Sequence, residues 1–520
     1  MEHIDRGGHV FVVHGDLTRL ACDDVLVPTD RRLEVAPSWL PLLPADLVAG
    51  DGESGRRLAL EPTPSWRQGA RVLPVDPGGG RRLWLVDTGD EQRDIDWLLA
   101  GVDEFVAAVT DAEDRAPVNA RERRLVGVPA VGTGGGSAAG DRGRLIKELL
   151  PRLCAATERC GFDVVLVLDR ESDSAAAQRV RRALDLPWPV SDQLYDAAQR
   201  LAARARTGEL AIFLGAGVSA AAGLPVWSEL LDGLSGRAGC SDEERALLEE
   251  LAPQDAASVL ARRIGDDELA AYVARRFAER PHALAHALLA DLPVREFVTT
   301  NYDPLFESAA RAIRRDLRVL PFDTPGRDAP WLLKLHGDVG RPDSVVLTRE
   351  EYLHFQEDLG ALAGVVHALL LTRHVLFVGV SLLDDNVIRI AHEVRRVLRH
   401  RASDRERHIG TALALTDHPI RAQLWAEDLD YVPMAPRGTR TASAARRLEI
   451  FLDLLAMLAA PPTGYLLDAA YDGMLSAGER DLARALRRLP GDAHGDARES
   501  PAWCEVEQLL RRLGADVAAP

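Results

Sequence analysis

Cysteine is scarce in this chain: its 520 residues hold five, Cys22, Cys154, Cys160, Cys240 and Cys504. An odd and scattered set provides no disulfide framework, and the charged start Met1-Glu2-His3-Ile4-Asp5-Arg6 is not signal-like, so the expected compartment is a reducing cytoplasm. Long apolar runs are missing too. The most apolar stretch, 368–383, is interrupted by Arg373 and His374, and a membrane span needs roughly 18 uninterrupted residues. No membrane insertion is expected. Basic charge is in deficit, with 63 Lys and Arg against 80 Asp and Glu for a net charge of -17. That balance excludes a broad phosphate-tracking surface, which depends on clustered cations releasing counterions, and nucleic acid is not an expected partner. Arg395, Arg396, Arg399 and Arg401 do cluster, but at helical spacing, as a solvated face. No internal repeat of convincing period is present, and the one low-complexity segment worth naming is 132–140.

What is there is the balance of a globular protein: 47% hydrophobic, 28% charged, with a mean hydropathy of -0.10. At one domain per 100 to 200 residues the length suggests about three. Residues 1–190 alternate β-rich runs with helical ones (Val10-Phe11-Val12-Val13, Val25-Leu26-Val27, Leu83-Trp84-Leu85-Val86, Leu125-Val126-Gly127-Val128, Val164-Val165-Leu166-Val167-Leu168), the pattern of an α/β domain. Leu186-Pro187-Trp188-Pro189 then breaks any helix and places a boundary near 190. Residues 191–435 form a second α/β region, with strands predicted at 210–214, 297–300, 332–335, 375–380 and 411–415 and a helical insertion over 241–280. Residues 436–520 read as a helical C-terminal region.

The strongest local signal is Leu214-Gly215-Ala216-Gly217-Val218-Ser219-Ala220-Ala221-Ala222-Gly223-Leu224-Pro225-Val226-Trp227, after an apolar strand and before a helix. Its start matches G-x-G-x-x-A: Gly215 permits a tight turn, Gly217 lets a backbone approach a pyrophosphate, and amides at the helix start stabilise negative charge. Close strand-helix packing would explain the same glycines. Farther on stand Thr299-Thr300-Asn301-Tyr302-Asp303, Lys334-Leu335-His336-Gly337-Asp338 and Phe377-Val378-Gly379-Val380-Ser381-Leu382, each at the end of a predicted strand, where ligands sit in open α/β sheets. Asn301 and Asp303 could instead cap the following helix, and His336 could be a satisfied histidine in a turn. Asp385 and Asn386 suit a helix cap as well as a ligand contact. His282, His286, His354, His367 and His392 read as structural or surface residues.

These motifs, in this order, resemble the sirtuin signatures G-A-G-x-S-x-x-x-G-I-P-x-F, T-Q-N-I-D, L-H-G and G-T-S. The resemblance covers 191–435 and implies a Rossmann-like parallel sheet binding NAD. By it, Asn301 and His336 are the catalytic pair. Gly215, Ala216, Gly217, Ser219, Gly223, Pro225, Trp227, Thr300, Asp303, Gly379, Ser381 and Asn386 hold the dinucleotide. Sirtuin deacylases carry a zinc ion on two C-x-x-C pairs, whereas this region has Cys240 alone, so no metal is expected. With Thr300 for the usual Gln and Val226-Trp227-Ser228 in place of a polar residue, Phe and Arg, the region looks more like the zinc-free sirtuin-like NAD+ hydrolases of bacterial antiphage defence.

In the first domain, Val12-Val13-His14-Gly15-Asp16-Leu17-Thr18, Asp24-Val25-Leu26-Val27 and Val128-Pro129-Ala130-Val131-Gly132-Thr133-Gly134-Gly135-Gly136 look like the G-D-I-T, D-A-I-V and phosphate-loop motifs of macro domains. That likeness implies a macro-like three-layer domain binding an ADP-ribose-type nucleotide through Asp16, Gly132, Thr133, Gly134, Gly135 and Gly136. Pro28-Thr29-Asp30 stands where macro domains have N-A-A-N, which counts against ADP-ribosyl hydrolysis.

The expectation is therefore an NAD+ hydrolase releasing nicotinamide and ADP-ribose, as an antiphage effector that depletes NAD+. A homo-oligomer and a defence-system partner or phage trigger are further expectations from the resemblance. The rival readings are an NAD-dependent deacylase or ADP-ribosyltransferase, and a non-catalytic ADP-ribose or NAD sensor.

Overall fold

The computed structural model describes residues 7–52, 55–78, 80–89, 93–113, 115–134, 136–326, 329–381, 385–398 and 408–515. The chain forms two units, one from the segments up to Val118, Glu122–Pro189 and from Ala460 on, the other from Asn119–Arg121 and Val190–Ala459. Both are α/β. Among the described residues no helix is long and apolar enough to cross a membrane.

The first unit contains β1 (Val10–His14), β2 (Asp24–Thr29), β3 (Glu34–Val35), β4 (Val48–Asp51), β5 (Arg56–Leu58), β6 (Val72–Val75), β7 (Arg82–Asp87), β8 (Leu125–Pro129) and β9 (Asp163–Leu168). Six of these make a sheet in the order β1-β9-β8-β2-β7-β6, and β3-β5-β4 make a small separate one. The large sheet is parallel except at β6, which runs antiparallel to β7. Strands β8 and β9 are buried along their whole length, as parallel strands covered on both faces must be.

The second unit contains β10 (Leu210–Leu214), β11 (Glu296–Thr299), β12 (Arg318–Leu320), β13 (Trp331–Lys334), β14 (His374–Val378), β15 (Gly410–Thr416) and β16 (Leu429–Ala435). They form a sheet in the order β12-β13-β11-β10-β14-β15-β16, and every neighbouring pair is parallel. Phe213 and Phe377 stack across β10 and β14 with ring centroids 5.4 Å apart. The apolar faces of helices Arg349–Thr372 and Asp385–Leu398 close over them. The insertion between β10 and β11 includes helices Asp242–Glu249, Pro253–Ile264 and Asp266–Arg276. Strands β12 and β16 were not anticipated. The first is three half-buried residues, too short for a period to show. The second carries Asp430 and Pro433, both disfavoured in strands, and lies at the sheet edge where proline is tolerated.

The expected helical C-terminal region 436–520 is divided instead. Helix Thr441–Ala459 is buried nearly all round and packs with helix Asp192–Thr207 in the second unit. Pro461 and Pro462 end that run, since proline blocks helix in itself and in the residue before it. Beyond them Tyr465, Tyr471, Leu475, Ala483 and Leu510 join the core of the first unit. Arg179 of that unit bonds the Tyr465 hydroxyl and Glu479, each at 2.6 Å.

Candidate active site

The order of the second sheet reverses at β10, with β11 and β13 on one side and β14 and β15 on the other, so a crevice opens past the carboxyl ends of these strands. The residues that follow each strand line a cleft of about 850 Å³. Gly215, Ala216, Gly217 and Ser219 come from the end of β10, with Thr300, Asn301 and Asp303 from β11 and His336 from β13. Gly379 and Ser381 follow β14, and Pro225 and Trp227 complete this part of the wall. Gly223 does not line it. Gly223 adopts φ +78, where its carbonyl accepts from Arg280 Nη1 at 3.1 Å and turns the chain toward Leu224 and Pro225. Asn386 lies at the start of helix Asp385–Leu398, with a side chain outside the described residues.

The glycine loop is held by the backbone of β14. Gly215 N donates to Val378 O at 2.9 Å and Gly217 N to Gly379 O at 3.0 Å. A Cβ on Gly217 would stand 2.9 Å from Gly379 Cα and O, and one on Gly215 would stand 2.4 Å from Gly379 O. The side of Gly217 expected to meet a pyrophosphate is therefore packed against protein, and its amide is engaged. Helix Ala216–Ala220 has five residues.

Asn301 is fixed from three directions. Its backbone N–H donates to Thr299 Oγ1 at 3.0 Å, and Nδ2 donates to Gly215 O and to Ser219 Oγ, both at 3.1 Å. A carbonyl can only accept, so the amide end facing Gly215 is the nitrogen, and Oδ1 is left buried with no partner among the described residues. Asp303 takes both roles foreseen for it, lining the cleft and capping: Oδ1 accepts from Leu305 N at 3.0 Å and Oδ2 from the Ser219 hydroxyl at 2.9 Å. Burial pushes the Asp303 carboxyl above the usual range, and the nearby Lys334 ammonium holds it back.

His336 is buried, with its ring edge-on to Tyr352 at 5.1 Å between centroids. The residue after it has to be glycine: Gly337 adopts φ +86, and a Cβ there would lie 1.9 Å from Ser344 O. Below the pair sits Lys334, whose Nζ donates to Tyr302 O at 3.2 Å, Asp303 O at 2.8 Å, Glu307 Oε1 at 2.8 Å and Asp338 Oδ2 at 2.6 Å. Burial opposes the ammonium, and the two carboxylates overcome that, raising the Lys334 pKa above the ordinary lysine value.

Sequence reasoning missed several wall residues. Arg245, Leu248 and Gln254 come from the insertion, Tyr352 from helix Arg349–Thr372, and His418, Arg421 and Tyr431 from beyond β15 and from β16. The rule that found Asn301 and His336, reading the residues just past each strand, would also have reached His418. His286, taken for a structural residue, is one shell behind the cleft: its Nε2 lies 3.2 Å from Ser219 Oγ. Burial holds the His286 imidazole down to about 3. The unfolded chain thus takes up a proton near pH 6.5 that the folded chain refuses until about pH 3. Stability from this group is complete above pH 6.5 and is lost as pH falls, by about 1.4 kcal/mol per pH unit. Urea unfolding at pH 7, 5.5 and 4.5 should show a steeper loss for the wild type than for His286→Gln by that amount. Equal slopes would remove His286 as the neutral buried group.

In the first unit the expected diphosphate loop is folded onto the protein. Gly132 adopts φ +72 and its carbonyl accepts from Ala138 N at 3.1 Å, while a Cβ on Gly136 would stand 2.9 Å from Gly132 O. Thr133 Oγ1 donates to Ala130 O at 2.7 Å, and Thr133 O accepts from the buried Arg142 at 2.8 Å. Gly134 borders open space. Gly135 lies outside the described residues. Asp16 is occupied as a cap, with Oδ1 accepting from Thr18 N at 2.9 Å and Thr18 Oγ1 at 2.7 Å.

Against known proteins, residues 295–431 match the family model described as a SIR2-like domain. Within the second unit, residues 295–431 are therefore similar to SIR2-like domains. The match begins at β11 and ends in β16, so it includes Asn301 and His336 and leaves out the glycine loop. NAD(+) hydrolase ThsA of Enterococcus faecium is 31% identical over 206 residues, 37% of this chain and 41% of that one. ThsA of Cytobacillus dafuensis is 31% identical over 192 residues, 36% and 38% of the two chains. Defense-associated sirtuin 2 of Bacillus subtilis is 23% identical over 221 residues, 40% and 21%. The chain spans less than half the length of these curated relatives. A solved chain from work on the mechanism and regulation of Sir2 enzymes superposes with a TM-score of 0.29 and 15% identity over 51% of this chain and 98% of that one, too loosely to pair residues. Among the described residues no group of three or more His, Cys, Asp or Glu could hold a metal ion, and Cys240 Sγ lies 3.3 Å from Arg263 Nη1.

Proposed function

We propose that the cleft binds NAD+ and breaks its nicotinamide–ribose bond, and that the protein acts as an antiphage effector by depleting NAD+. The observation that carries this reading is the meeting of Asn301 and His336 in one cleft, at the ends of neighbouring parallel strands. The relatives named as NAD(+) hydrolases support the reaction, and the defence-associated sirtuin supports the role.

The chemistry asks little of the protein. Nicotinamide departs as a neutral molecule with the electron pair of the C–N bond, so no acid is needed, and the ribose carbon passes through an oxocarbenium-like state. Water then forms the new C–O bond and gives up a proton, yielding ADP-ribose. The carboxamide of Asn301 offers Oδ1 to the attacking water or a ribose hydroxyl, and the reaction gains chiefly from that placement. His336, whose imidazole can accept a proton, takes it from the attacking water and passes it to solvent. Ser219 holds Asn301 from behind and is itself anchored on Asp303.

Purified protein incubated with NAD+ should release nicotinamide and free ADP-ribose in equal amounts, with the same rate in EDTA, because this scheme uses no metal. Acylated ADP-ribose or an ADP-ribosylated acceptor would assign the cleft to a transferase or deacylase. Loss of activity in EDTA with recovery in zinc would overturn the metal-free scheme. Saturable NAD+ binding without nicotinamide release would leave a sensor. For the first unit, the open space beside Gly134 is the entry we assign to an ADP-ribose-type nucleotide, and a bulky anionic side chain there would block it.

A further inference from the structure

One buried group beside the cleft has no part in the chemistry so far. His286 stands in the first turn of helix Leu284–Asp291, and its Nδ1 accepts from the N-cap amide Ala283 N at 3.3 Å. Glu or Gln does the same from this position in a capping box. That bond settles the tautomer: Nδ1 is bare, the ring is neutral, and the proton is on Nε2, pointing at Ser219 Oγ 3.2 Å away. The Ser219 hydroxyl has two lone pairs and one proton. Asn301 Nδ2 at 3.1 Å and His286 Nε2–H fill the lone pairs, so the proton can go only to Asp303 Oδ2 at 2.9 Å. Every donor and acceptor in the chain from Ala283 to Asp303 is thereby determined, and its free end is Asn301 Oδ1. Without the His286 donor, the Ser219 hydroxyl is free to turn away from Asp303, and Asn301 Nδ2, still held by Gly215 O, loses its fixed second anchor.

We propose that His286 is a positioning residue which, through Ser219, fixes the Asn301 carboxamide with Oδ1 turned to the substrate. The assignment rests on the NAD+-cleaving reading for its kinetic consequence, though not for its geometry. His286→Leu should lower kcat for nicotinamide release by about 10- to 100-fold, the cost of a misplaced group near the reacting atoms. KM for NAD+ should move by less than about threefold, because the loss falls on positioning rather than on binding. His286→Gln, which can accept from Ala283 and donate to Ser219, should restore most of kcat. In a Ser219→Ala background His286→Leu should add almost nothing, since the path through Ser219 is already cut.

The chain contains three asparagines, Asn119, Asn301 and Asn386, so selective 15N-asparagine labelling gives three carboxamide signals, and Asn301→Ala identifies the one that matters. Its shift should move in His286→Leu and return in His286→Gln. A folded His286→Leu with wild-type kcat, a glutamine variant no better than leucine, or additive losses with Ser219→Ala would each overturn the proposal. If the wild type releases no nicotinamide, the NAD+ reading falls by itself. The spectrum then decides for His286: a carboxamide signal unmoved in His286→Leu rejects the positioning role, and one that moves and returns upholds it.

Discussion

Replacing His336 with alanine is expected to lower kcat for nicotinamide release by about 10²–10⁴-fold, the usual contribution of a positioned acid-base group. Asn301→Ala should fall in the same range, because it removes both the acceptor presented to the water and the two bonds that anchor it. The stability costs should differ from the activity costs. His336 is buried against Tyr352, so its truncation leaves a void; Asn301→Ala strips partners from Ser219 Oγ and Gly215 O, about 1–3 kcal/mol where such groups stay buried. Measuring kcat together with urea midpoints separates the two effects. Near-normal turnover in either variant would take that residue out of the reaction, whatever its effect on stability.

Lys334→Met should destabilise the second unit by about 3–5 kcal/mol, since it strands buried charge rather than removing a favourable contact alone. Glu307 and Asp338 would face each other without the ammonium, and the carbonyls of Tyr302 and Asp303 would lose their common donor. Burial already pushes the Glu307 carboxyl upward, with Lys334 as its main restraint. Lys334→Met combined with Glu307→Leu should recover part of the loss, because an apolar pair of similar volume carries no desolvation cost. Denaturant unfolding of the two variants reads this directly. If the single change costs less than about 1 kcal/mol, typical of surface ion pairs, Lys334 is not the electrostatic anchor of the Asn301 and His336 loops.

Much of this was legible in the sequence because strands buried on both faces are written as continuous apolar runs. Leu210–Leu214 and residues 375–378 stand out in that way, and the residues just after such runs are where an open sheet binds its ligands. Asn301 and His336 could be placed in one cleft on those grounds, supported by their motifs. Other features depend on contacts across long stretches of chain. Gly217 reads as a phosphate-loop glycine from its neighbours, yet its closest partner is Gly379. His286 carries no local motif, and its role comes from Ser219, which a helix far along the chain brings within 3.2 Å. The return of 460–520 to the first core was hidden for a similar reason: amphipathic helices show that they pack, but not against what.

That return has a consequence for the order in which the molecule can be made. The second unit is essentially one uninterrupted stretch, Val190–Ala459, whereas the core of the first is completed by Tyr465, Tyr471 and Leu510. A ribosome adding about 5–20 residues per second holds the first unit incomplete for roughly half a minute while the second emerges. The second unit therefore has all of its long segment before the first has its last helices. A nascent chain arrested after Ala459 would carry the whole cleft-bearing segment while the core of the first unit still lacked Tyr465, Tyr471 and Leu510.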